Sequence, residues 1–145
     1  MDKSKVIYVA ALLDEESQKL LRHADEKPFR NVYAHHCTLA FGAAVSDYHM
    51  SLIGHKFEFI LGFVVGDEHA HAVTVRHGAH EFGCLNTFPH ITLSTDGVPP
   101  KYSNELLQKF YEGCGNILKE MDGVCVRGTI VAFVKTNDGG AEWVM

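Results

Sequence analysis

The 145-residue chain has no basic run, no apolar stretch of membrane length, no closely spaced cysteine pair, and only four prolines and one tryptophan. Each shortage removes a class of function. Proteins that track a long nucleic-acid backbone draw affinity from many Lys and Arg contacts to phosphate. Here thirteen Lys and Arg face eighteen Asp and Glu, a net charge of −5 with His neutral, so only recognition of a single phosphate or a chain end stays open. Crossing a bilayer takes roughly 20 apolar residues. The longest candidate, Phe57 to Val65, carries Glu58 and stops at Gly66, Asp67 and Glu68. Cys37, Cys84, Cys114 and Cys125 form no CxxC or Cys/His zinc spacing and read as reduced thiols of a cytosolic core. Near the start, VIYVAALL is too short for a secretory signal and lacks a small-residue cleavage site, so it reads as a first strand and the protein as cytosolic. No linker or low-complexity tract interrupts the chain, which predicts one domain over residues 1–145.

What is present is ordinary globular material. A hydrophobic fraction of 46% with 21% charged residues excludes disorder as the main state. Residues 5–13 are rich in β-formers and predict a buried strand. Asp14 is placed to cap a helix whose apolar stripe is Leu13, Leu20, Leu21 and Ala24. Tyr33 to Phe41 reads as a second strand closing on Gly42. Residues 57–65 and 70–76, parted by Gly66, Asp67 and Glu68, predict an antiparallel hairpin. Ser46 to Gly54 shows no clear period, and His77 to Asn86 reads as loop. Phe88 to Ser94 is a further strand. The spacing of Leu106, Leu107, Phe110, Cys114, Ile117, Leu118 and Met121 predicts an amphipathic helix over 103–121, weakened by Gly113 and Gly115. A strand over 123–135, a turn at Asn137 to Gly140 and a short return strand complete the chain. The order predicts an α+β fold of antiparallel sheet with helices on the outer faces.

The excess lies in histidine, with ten. In a strand, residues two apart share a face. In His36-Cys37-Thr38-Leu39 and His90-Ile91-Thr92-Leu93, each histidine therefore shares a face with a threonine while the intervening apolar residues point into a core. Two such units facing each other cage a phosphodiester. Hydroxyls donate to non-bridging oxygens, one neutral imidazole takes a proton from water, and one protonated imidazole gives a proton to the departing ribose oxygen. That chemistry asks for no metal or cofactor. His49-Met50-Ser51-Leu52 mimics the pattern, but its flanks lack a strand pattern and His49 is expected to face solvent.

At these residues the chain resembles the 2H phosphoesterases, named for two His-x-Ser/Thr motifs with apolar second and fourth positions. Residues 88–107, FPHITLSTDGVPPKYSNELL, look most like the branch near the cyclic phosphodiesterase domain of fungal-type tRNA ligases. The resemblance implies a bilobal fold of two pseudo-symmetric lobes, two antiparallel sheets forming a central groove with helices outside. It implies a metal-independent opening of 2′,3′-cyclic phosphates at RNA ends or on nucleotides, with the 2′-phosphate as product. His36 and His90 match the catalytic histidines, and Thr38 and Thr92 the phosphate-binding hydroxyls. The expected partner is an RNA cyclic-phosphate end or a cyclic nucleotide, met by a monomer with no membrane involved. Arg76 and Lys101 are further candidates for phosphate, and Tyr102 and Phe41 for stacking on a base, although ordinary surface charge and core packing compete for them. Two other readings stand beside the enzyme. One is a module that binds a phosphorylated end without turnover. The other is a zinc hydrolase built on His69, His71 and a neighbour such as His77 or His80, positions that solvated loop histidines also explain.

Overall fold

In the computed structural model, which describes residues 2–145, the β-rich opening segment forms β1 (Val6–Leu13). Asp14 ends it and caps α1 (Glu15–Ala24), its carboxylate accepting the Ser17 amide at 2.8 Å. Leu21 and Ala24 then bury the inner face of α1. The remaining strands are β2 (Asn31–Val32), β3 (His36–Phe41), β4 (Lys56–Gly66), β5 (Ala70–His77), β6 (His90–Thr95), β7 (Asn116–Glu120), β8 (Cys125–Lys135) and β9 (Ala141–Val144). Between them lie α2 (Asp47–Leu52) and α3 (Ser103–Tyr111).

The strands are paired antiparallel throughout, in the order β2-β6-β5-β4-β8-β1-β3, with β7 added on β4 and β9 on β8. Two separate sheets are expected from the family resemblance; hydrogen bonding instead joins all nine strands into one. The reason is the length of β4. Its first half, Lys56 to Ile60, pairs with β8, and its second half, Ile60 to Gly66, pairs with β5.

The two ends of this sheet meet. The strand expected over Tyr33 to Phe41 breaks at Ala34, which is fully buried with φ +56. Tyr33 and Ala34 give their amides to the Leu93 and Thr92 carbonyls of β6, at 2.8 and 2.9 Å. One residue later the His35 carbonyl accepts the Leu13 amide of β1 at 2.9 Å. Residues 33–35 are thus a strap that carries the chain from one sheet end to the other and sets β3 beside β6.

Inside, Leu39, Phe59, Leu61, Ile91, Leu93 and Ile130 belong to one large buried cluster drawn from strands along the whole sheet. A smaller one, with Val65, Ala70 and Ala72 of the sheet against Leu106 and Leu107, seats α3. The predicted helix over 103–121 is shorter than its apolar spacing suggests. It ends at Tyr111, Gly113 takes the left-handed φ of +93 that lets the chain turn, and residues 116–120 pair with β4 as β7. Ile117 and Leu118 are half exposed on this outer strand rather than core. Cys37 and Cys84 are buried, whereas Cys114 is exposed, against the expectation of four core thiols. No helix among the described residues is long and apolar enough to cross a membrane.

Candidate active site

The two His-x-Thr segments begin β3 and β6, and both show the alternation their spacing predicts. Cys37, Leu39, Ile91 and Leu93 are at most 1% exposed, while His36, Thr38, His90 and Thr92 are half-buried. Because the strap brings β3 against β6, these four side chains line one cleft of about 640 Å³. Lys101 lines it too, together with Tyr8, Tyr33, His35, Asn86 and Asn104. Phe41, 65% exposed at the same cleft, is not the core residue that its place beside a strand suggests.

The charge of the cleft is opposite to that of the chain. Among the described residues no carboxylate lines it, whereas three imidazoles and the Lys101 ammonium do. The walls are mostly apolar, which strengthens the pull of these groups on a bound anion.

Each imidazole is held. His90 donates from Nδ1 to the Phe88 carbonyl at 2.8 Å; a carbonyl only accepts, so Nε2 is the nitrogen left for chemistry. His36 lies near-parallel to Tyr8, ring centres 5.2 Å apart, and meets Trp143 of β9 edge-on at 5.5 Å. Its Nδ1 is 2.7 Å from Nδ1 of His35. Burial, then the proximity of His35 and His90, pushes the His36 pKa down to about 3. Burial also lowers His35 and His90, the hydrogen bond to Phe88 partly offsetting it in the latter. Burial raises the Tyr8 phenol to about 12, so it is a neutral wall.

The threonines differ. Thr92 Oγ1 lies 2.9 Å from Ser103 Oγ, which is fully buried at the start of α3, and 3.3 Å from the Pro100 carbonyl. Thr38 Oγ1 has no hydrogen-bond partner among the described residues.

Other sequence candidates fall elsewhere. Arg76 stands outside the cleft, paired with Asp122. Tyr102 also stays outside; its hydroxyl bonds Asp67 and its ring meets His69 edge-on. His49 is not solvated but buried in α2. It accepts the Ser46 amide on Nδ1 at 3.0 Å and donates from Nε2 to the Gly83 carbonyl at 2.8 Å. Both nitrogens are spent on a capping box and a loop anchor. His69 and His71 part company. His69 sits near Glu68 on the surface, while His71 turns inward, buried, with Nδ1 2.8 Å from Asp25. Among the described residues no three His, Cys, Asp or Glu side chains converge as a metal-ligand set. Tyr8, Tyr33, Asn86 and Asn104 carry no motif that marks them for the cleft. Only His35 had a visible signal, its place next to His36.

A family model described as the fungal tRNA ligase phosphodiesterase domain matches residues 11–133, a span holding both His-x-Thr segments. No curated protein matches the chain at a significant level.

Proposed function

From the premise that this chain belongs to the fungal tRNA ligase phosphodiesterase domain family, we propose that it is a metal-independent 2′,3′-cyclic phosphodiesterase acting on RNA ends or nucleotides. The observation that carries the reading is the convergence of His36, Thr38, His90 and Thr92 on one cleft that no carboxylate lines among the described residues. In this reading the cyclic phosphate sits between the two strands, its non-bridging oxygens facing Thr38, Thr92 and the Lys101 ammonium. One imidazole removes a proton from water as its oxygen bonds phosphorus. The other protonates the ribose oxygen as the P–O bond breaks. The 2′-phosphomonoester is the product, and the protein acts as a monomer. Tyr33, Phe41 and Asn86 offer the attached nucleoside an aromatic and hydrogen-bonding wall.

The test is a product assay with 2′,3′-cyclic nucleotides and a short RNA ending in a cyclic phosphate. Conversion to the monoester that persists in EDTA is expected. His36→Ala and His90→Ala should each lower kcat by about 10²–10⁴-fold, the usual worth of a positioned acid or base. Tight binding of the cyclic nucleotide without product would instead identify a binding module, and loss of turnover on chelation would overturn the metal-free mechanism.

A further inference from the structure

A buried imidazole that cycles its proton needs a partner for its second nitrogen, usually a carboxylate or a backbone carbonyl. His90 has the Phe88 carbonyl. His36 has neither; facing its Nδ1, at 2.7 Å, is the Nδ1 of His35. The two ring planes are 18° from parallel, with centres 4.8 Å apart. Combined with the short nitrogen–nitrogen distance, that places them side by side in nearly one plane, as an in-plane N–H···N bond requires. Tyr33 and Trp143 meet the His35 ring edge-on, at 6.1 and 6.2 Å, and fix its orientation.

Only one proton fits between two Nδ1 atoms, so one ring donates and the other accepts. The titratable side chains that share the cleft with the pair are Tyr8 from β1, Tyr33 from the strap, His90 from β6 and Lys101, and among the described residues no carboxylate lines it. The geometry points to His35 as a positioning residue that holds one proton jointly with His36, making the pair the proton donor and leaving His90 Nε2 as the base. This rests on the cyclic phosphodiesterase reading. In the loaded pair His35 carries protons on both nitrogens, its Nδ1–H donating to His36 Nδ1, and His36 carries a proton on Nε2. As the P–O bond breaks, its electrons stay on the ribose oxygen, which takes the His36 Nε2 proton. The shared proton crosses from His35 to His36, and two neutral rings remain. His90 meanwhile holds the proton taken from water, and solvent exchange returns it to the pair. A charge-assisted N–H···N bond of this kind is stronger than a neutral one, and it offsets the burial that otherwise strips His36 of its proton.

His35→Asn keeps a donor for His36 Nδ1 but cannot hold the charge; His35→Phe keeps only the ring. In both variants the alkaline limb of kcat/KM against pH should move to lower pH. His35→Asn, which still positions His36, should lose less of the maximal rate than His35→Phe, which should lose about tenfold or more. Ring-¹⁵N titration of the unsubstituted protein, which needs no turnover, should show both imidazoles responding in the same protonation step. An unshifted alkaline limb in both variants, or rings that titrate independently, would overturn the proposal. Joint titration in a protein that turns over no cyclic phosphate would sink the reaction reading and leave the shared proton standing.

Discussion

Thr38 and Thr92 hold equivalent places in the sequence pattern and unequal ones in the fold. The Thr38 hydroxyl meets no partner among the described residues, so its removal should leave stability intact. Thr92 supports Ser103, a fully buried hydroxyl with no other partner among the described residues, and orphaning such a group costs about 1–3 kcal/mol. Thr38→Val is therefore expected to lower kcat/KM by about 10²-fold, as for loss of one preorganised donor to a developing anion, at an unchanged urea midpoint. Thr92→Val should lower both. Parallel denaturation and kinetics on the two variants check this. Histidine shows the same dependence on setting. His36, His49 and His90 share a motif in sequence, yet His49 has both ring nitrogens committed to backbone and Ser46. Its neighbours reveal this only once Ser46 is seen to cap α2.

At the level of elements, the sequence was most legible where one face is buried and the other wet. The alternation in β3 and β6, the Asp14 cap, the β4–β5 hairpin and the β8–β9 turn follow from local pattern. Legibility failed where a distant partner decides. Residues 116–120 carry a helix-like apolar spacing, but pairing with the second half of β4 makes them a strand. Likewise the break at Ala34 is invisible in YAHHCTLAF, because alanine gives no warning of a positive φ. The methyl is fully buried and the backbone left-handed there, so a β-branched side chain meets both crowding and backbone strain. Ala34→Val should destabilise the protein by about 2 kcal/mol or more, read as a lower urea midpoint. Activity should fall further than stability explains, since the strap sets His36 against His90.

For the whole molecule, gathering three imidazoles in a cleft that no carboxylate lines among the described residues makes folding and proton binding compete. His35, His36 and His90 all have pKa values lowered by burial, His36 to about 3, whereas an unfolded chain protonates each ring near 6.5. Even with one proton shared by the His35–His36 pair, the folded cleft binds fewer than the three protons an unfolded chain takes up in acid, so stability rises with pH between those limits. It is complete above about 6.5 and drains away as pH falls toward 3. The urea midpoint should therefore drop between pH 7 and 4.5, and drop less in His36→Asn. The buried Asp25, which accepts from Ser94 at 2.7 Å and lies 2.8 Å from His71 Nδ1, ties the segment after α1 to β5 and β6. The strap meanwhile gives its amides to carbonyls of β6, far along the chain from β3. Closure of such a long loop comes late, because its entropy must be met before any bond repays it. A chain still emerging from the ribosome can build the β1 end of the sheet, but it has no cleft until β6 has also emerged. Half-made copies thus carry a histidine with nothing opposite it, and catalytic competence waits for β8, the late strand that joins the β1 end of the sheet to β4.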